Sequence, residues 1–417
     1  MWKAVSLGDW MENRVSELSS VRPVVEEIIE RVRNGGDQAL LELTRQFDGV
    51  DTESLIVGEE EVEAAYHAVS DQVIASLIEA DARISRFHEL QKPRELWLEE
   101  VEPGVVLGVR TTPLDRIGAY IPGGRAAYAS TALMCTIPAR VAGVRSICCC
   151  SPPPISPMTL VAMDIAGVDE VYAVGGAQAI AAMALGTESI SPVQKIVGPG
   201  NIYVTAAKML LRDRTEIDFP AGPSEIVVLA DDTARPEFIA ADILAQAEHD
   251  PRAASLLVTT DPGLPGQVAV HLESGIRDAE RGEILRKAMG NTGYLVASSM
   301  DEAIGCVNRA APEHLSLQVA DPMGVLRGIR NAGAVFLGSY SVVACGDYAS
   351  GTNHVLPTAG YARAHSGLDV QHFCTRSTVQ LISREGLERL GETVETIAEA
   401  EGLTAHARSV RVRRESS

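Results

Sequence analysis

Between residues 105 and 337, short apolar runs alternate with stretches whose apolar positions recur every three to four residues. This is the pattern of buried parallel strands joined by crossover helices. The runs 116–121, 146–150, 170–174, 195–197, 225–230, 255–259, 294–297 and 334–337 predict strands, and 130–142, 178–185, 202–211 and 236–249 predict helices between them. Ahead of residue 105 the spacing changes. Segments 21–47 and 59–90 are long, charged and amphipathic, so helices are expected there. After about residue 369 the strand signal fades into a tail, 385–412, rich in Glu and Arg and helical in period. No internal repeat or low-complexity segment is visible. The expected class is α/β with parallel sheets.

Composition narrows the functions open to such a fold. A chain of 417 residues exceeds the size, roughly 250–300 residues, at which single cores stop growing, so two or three domains are expected. Apolar residues make up 46% and aromatics only 4%, which leaves Ala, Val, Ile and Leu to fill the cores. A formal charge of -20 opposes a nucleic-acid backbone or an anionic membrane surface as partner, while a small cationic or zwitterionic substrate remains compatible. Residues 1–13 carry acidic and aromatic side chains where a secretory signal needs a basic start and an apolar run, so a cytoplasmic location is expected. The longest charge-free apolar stretch, 171–187, contains Gly175 and Gly176 and is shorter than a bilayer span. The seven cysteines form no Cys-x-x-Cys pair, and free, buried thiols are expected.

Three glycine-bearing turns stand where a strand gives way to a helix: Ile121-Pro122-Gly123-Gly124, Val174-Gly175-Gly176-Ala177-Gln178 and Val197-Gly198-Pro199-Gly200-Asn201. Such turns expose backbone N–H groups beside a helix N-terminus and suit a phosphate or pyrophosphate, though glycine serves short turns for steric reasons as well. Residues 346–358 place Asp347, Asn353 and His354 on a segment whose Gly346, Gly351 and Pro357 limit the backbone. Either a site or a surface turn with Asp347 as a helix cap answers to that pattern. In the helix 236–249, Gln246 and His249 share a face and can reach one ion or one ligand, with Glu248 off that face; the alternative is a solvated helix end. Ser224 follows two prolines and a glycine at a rigid corner, as hydrogen-bond donor or turn residue. Glu313 and His314 stand side by side immediately before a strand, which suits general acid–base work if the segment is not simply a helix start after Pro312. His406 is a lone imidazole on a charged tail.

Jointly, residues 346–358, the run Ala311-Pro312-Glu313-His314, the segment 245–249, the Pro-Ala-Gly-Pro-Ser corner, residues 401–406, and the turns at 118–124 and 198–201 resemble histidinol dehydrogenase along essentially the whole chain. The resemblance implies oxidation of L-histidinol to L-histidine through bound L-histidinal, in two NAD-dependent steps, as the last reaction of histidine biosynthesis. It implies one zinc ion per subunit, held by Gln246, His249, Asp347 and His406. Catalysis would fall to His314, as the base for the hydroxyl proton, and to Glu313, which activates the hydrating water. Ser224, Gln246, His249, His314, Asp347, His354, Glu401 and His406 would contact substrate, and Tyr120, Gln178 and Asn201 would contact NAD. The fold implied is two Rossmann-like domains in an intertwined homodimer, with Glu401 and His406 completing the partner's site. The expected division is a small N-terminal helical element at 1–19, a large α/β domain from 20–119 and 224–368, an NAD-contacting domain at 120–223, and a helical tail at 369–417. Two rival readings remain: a related zinc- and NAD-dependent dehydrogenase acting on another small amino- or sulfo-alcohol, and a zinc-stabilised scaffold without turnover.

Overall fold

The structure is a computed structural model that describes residues 2–14, 18–123 and 127–416. Gly124 of the first glycine turn lies outside the described residues. Strands Glu225–Ala230 and Ala254–Thr259 are buried at every position, which requires cover on both faces, and helices supply it. They belong to a parallel five-stranded sheet in the order Thr292–Val296, Ala254–Thr259, Glu225–Ala230, His314–Gln318, Ala334–Leu337. A second parallel sheet runs Glu170–Ala173, Ser146–Ser151, Arg116–Tyr120, Lys195–Val197, Glu216–Ile217. The predicted strands all form, with ends shifted by a residue or two. Numbered by chain order, both sheets read 3-2-1-4-5, the order of a Rossmann-like half, although the sequence carries no visible repeat. Each sheet therefore has a switch point between its first and fourth strands, where ligand crevices open.

Helices ahead of residue 105 cover the sheet of residues 116–217. From Arg22–Asp48, which kinks at Gly36, the side chains Val25, Ile28, Ile29, Leu40 and Leu43 share a core with helix Gly176–Leu185. Ile84 of Asp71–Glu89 and Ala65 of Glu59–Ala68 join the core on the other face, against Ala129–Ala142 and Pro157–Ile165. Strand Arg116–Tyr120 is central to this sheet, so the expected division of the chain at residue 120 cuts across it. At the other sheet, Ala4 pairs in parallel with Tyr294, and Trp10 of helix Leu7–Asn13 packs among Val227, Leu256 and Leu317.

A third, antiparallel sheet was not signalled by the sequence. It joins Leu96–Glu102, Val105–Pro113 and Cys374–Ile382, bringing residues near 100 beside residues near 380. Every residue of Leu96–Glu102 is exposed, so the alternation that usually betrays a half-buried strand is missing. The chain then ends in a helical hairpin, Arg384–Ala400 and Thr404–Glu415, joined by ion pairs of Arg411 and Arg414 with Glu395. Large apolar side chains on these elements stay uncovered in the single chain: Trp97, Leu98, Leu381, Ile397 and Val412. Among the described residues no helix is long and apolar enough to cross a membrane. The cysteines are free; Cys135, Cys148, Cys149, Cys150 and Cys306 are buried, whereas Cys345 is exposed and Cys374 half-buried.

Candidate active site

A cavity of ≈ 1410 Å³ opens between the two parallel sheets, and Tyr120, Gln178, Asn201, Ser224, Gln246, His249, Glu313, His314, Asp347 and His354 all line it. From the sheet of residues 116–217 come the carboxyl ends of the strands, with the glycine turns that follow them. The other sheet contributes its amino edge: Ser224 precedes the first strand, and Glu313 precedes His314, which opens the fourth.

The glycine turns are tightly fixed. Gly198 has φ +109°, and a Cβ there would lie 2.2 Å from the Tyr120 carbonyl oxygen, so only glycine fits. The buried Lys208–Asp218 ion pair brackets this turn: Lys208 Nζ donates to the Gly198 carbonyl at 2.9 Å, and Asp218 Oδ2 accepts the Gly198 N–H at 2.8 Å. Asn201 caps helix Ile202–Leu210, its Oδ1 accepting the N–H groups of Tyr203 and Val204. The Tyr120 hydroxyl accepts the Gly176 N–H at 3.0 Å, and burial pushes that phenol up to about 12, so it stays neutral. Phe47 and Asp48, at the end of the long helix Arg22–Asp48, also reach the cavity wall; nothing in their spacing marked them.

On the opposite wall, Glu313 and His314 are each 5% exposed. His314 Nδ1 lies 3.1 Å from the Glu225 carbonyl, an atom that can only accept, so Nδ1 carries the proton. Its Nε2 is buried without a protein partner. Burial works against a charge on this ring, but the carboxylates of Glu313 and Asp347 outweigh it and lift the imidazole to about 9. The segment 346–358 begins as a short helix, Val343–Tyr348, that carries Asp347, and continues as irregular chain. Gly351, at φ +101°, sits so close to the Arg83 carbonyl that a Cβ would approach to 2.6 Å. The Nδ1–H of His354 donates to the Asp347 carbonyl at 3.0 Å, and burial lowers its basicity. Thr358 Oγ1 accepts the Gly222 N–H at 2.6 Å, tying this segment to the Ser224 corner. Asn353 does not reach the cavity: its amide donates to the Met134 carbonyl and accepts from the Val355 N–H.

Gln246, at the end of helix Pro236–Ala247, is buried, and His249 two residues past that end is exposed. Glu248, the cap residue of that helix, also reaches the cavity wall, although it stands off the face of Gln246 and His249. Gln246, His249 and Asp347 bring an amide, an imidazole and a carboxylate to one cavity. Among the described residues no three His, Cys, Asp or Glu side chains are grouped to hold a metal. The imidazole and the carboxylate are ligand types that suit a borderline divalent cation such as zinc, with the Gln246 amide beside them. His406 and Glu401 are exposed on the terminal hairpin and do not line their own chain's cavity.

A family model described as histidinol dehydrogenase matches residues 11–414. The chain belongs to the histidinol dehydrogenase family. Histidinol dehydrogenase of Methanothermobacter thermautotrophicus is 51% identical over 412 residues, 98% of this chain and 96% of that protein. The histidinol dehydrogenase of Methanosarcina barkeri is 50% identical over 405 residues, covering 96% and 94%. A crystal structure of histidinol dehydrogenase from Elizabethkingia anophelis superposes with a TM-score of 0.95 at 39% identity, over 99% of this chain and 97% of that one. Histidinol dehydrogenases are NAD-dependent oxidoreductases of the last step of histidine biosynthesis.

Proposed function

We propose that this cavity oxidises L-histidinol to L-histidine through bound L-histidinal, with His314 and Glu313 as its proton-handling groups. The observation that carries the assignment is the unpartnered Nε2 of His314, fixed beside a carboxylate in the cavity that the glycine turns also line. In the first oxidation the Nε2 lone pair takes the hydroxyl proton while hydride leaves the carbinol carbon. In the second, Glu313 draws a proton from the water that adds to the aldehyde, and a further hydride departs from the hydrate. When bound, NAD would accept the hydrides, one per molecule, at the turns of Tyr120, Gln178 and Asn201, and zinc would orient the substrate's imidazole and amine, their positive charges together keeping the His314 ring neutral. Gln246, His249 and Asp347 would hold the cation from one chain and His406 from the other. Ser224, His354 and the partner's Glu401 contact substrate.

The shared site requires a homodimer, and the uncovered Trp97, Leu98, Leu381, Ile397 and Val412 on the elements around His406 support it. A second copy of the chain is the occupant we assign to that surface. Cytoplasmic residence completes the reading.

Product stoichiometry separates the two roles. Glu313→Gln is expected to yield one NADH per histidinol and to accumulate aldehyde, whereas His314→Asn should lose on the order of 10²–10⁴-fold in the first oxidation. Two NADH per histidinol from Glu313→Gln at the wild-type rate contradicts the assignment.

A further inference from the structure

The turn that delivers Glu313 and His314 to the cavity rests on an uncommon backbone. Ala311 closes helix Met300–Ala310 at φ 47° and ψ 61°, the left-handed region that a residue with a Cβ avoids. Pro312 follows and disfavours the right-handed helical alternative for Ala311. Held in that way, the chain reverses from helix to strand within three residues, and Glu313 and His314 emerge at the sheet's amino edge.

Two buried side chains that do not line the cavity clamp this turn from both sides. Arg14, 5% exposed at the end of helix Leu7–Asn13, donates through Nη2 to the Ala310 carbonyl and through Nη1 to Glu225 Oε1 at 2.7 Å. That same Oε1 accepts the backbone N–H of Glu313 at 3.2 Å. One planar guanidinium thus reaches the carbonyl before Ala311 directly, and the N–H after it through a carboxylate. Glu225 also aligns the reacting groups: its N–H donates to Glu313 Oε2 at 2.7 Å, and its carbonyl accepts the Nδ1–H of His314. Glu225 Oε2 is left without a partner. An ion pair buried in this way is a weak source of stability, since apolar packing of similar volume commonly does as well.

We infer that Arg14 and Glu225 form a positioning pair for the Glu313–His314 turn, through which the N-terminal helix sets the geometry of proton transfer without touching substrate. The inference rests on Glu313 and His314 carrying the chemistry proposed above. A residue that orients a base changes turnover more than ground-state binding, because a misplacement of about 1 Å suffices for losses near 10²-fold.

Arg14→Lys keeps the charge but gives up the fork that reaches two acceptors. Arg14→Met combined with Glu225→Gln removes both charges, leaves no unpaired ion in the core, and so guards against simple misfolding. In the full-length, zinc-loaded enzyme, kcat is expected to fall on the order of 10- to 100-fold in both variants, with KM for histidinol and for NAD within about threefold of wild type. The Tm of the double variant should stay close to that of wild type. Wild-type kcat in both variants, or a kcat loss that only follows a loss of folded protein, overturns the inference. His314→Asn assayed alongside separates it from the reading beneath it. Activity surviving that substitution contradicts the reaction and the inference together, whereas activity lost there but intact in the clamp variants contradicts the inference alone.

Discussion

Asp242 and Glu225 are both buried carboxylates at the sheet that carries His314, and they differ in what neutralises them. Glu225 faces Arg14, yet burial outweighs that attraction and raises its carboxyl to about 7. Asp242, on helix Pro236–Ala247, has no cation beside it among the described residues; it accepts from the Ser316 hydroxyl at 3.4 Å, and burial raises it from 3.8 to about 6. Between those two values the folded protein holds a proton that the unfolded chain has released. Stability contributed by this group is therefore fully present below pH 3.8 and lost as pH rises through about 6. Asp242→Asn removes that loss. The variant is expected to gain on wild type by on the order of 2–3 kcal/mol as pH rises from 4 to 7, read from urea unfolding at each pH. A stability difference independent of pH contradicts the burial argument. At this scale the sequence was only partly legible. His314 and Asp347 stood out by residue type, but Arg14 and Glu225 did not, because their meaning lies in a contact across 211 positions.

Strand–helix alternation from residue 116 to 337 was legible because strands buried on both faces leave continuous apolar runs, and their turns need glycine. Leu96–Glu102 and Cys374–Ile382 were not, since solvent reaches all of the first and most of the second and no core imposes a period. The shared 3-2-1-4-5 order was equally hidden, as strand order follows from long-range pairing and not from local pattern. Among the elements the sequence did mark, the turn after Lys195–Val197 gives the sharpest test. Gly198→Ala must find room where the Tyr120 carbonyl lies 2.2 Å from the new carbon, on a backbone that L side chains rarely adopt. The displaced turn should raise KM for NAD by at least about tenfold, roughly 1.4 kcal/mol, while histidinol binding followed by calorimetry remains. An unchanged KM for NAD separates this turn from the cofactor.

For the whole molecule the decisive feature is that the terminal hairpin and the antiparallel sheet form an arm with apolar side chains and no cover in its own chain. If His406 completes the partner's site, His406→Ala and His314→Asn are each inactive alone but complement each other in a mixed dimer, where one complete site forms. Co-refolding the two at equal amounts is expected to restore about a quarter of wild-type activity, the statistical share of intact sites in a two-fold assembly. No recovery in verified mixed dimers contradicts the shared site. Deleting residues 395–417 should likewise abolish turnover and weaken zinc binding. Fold, cation and chemistry meet in one quantity, the NADH formed per L-histidinol consumed. The account predicts two equivalents, none after treatment with a chelator, and two again once zinc is restored; a yield that survives chelation, or one fixed at a single equivalent, contradicts it.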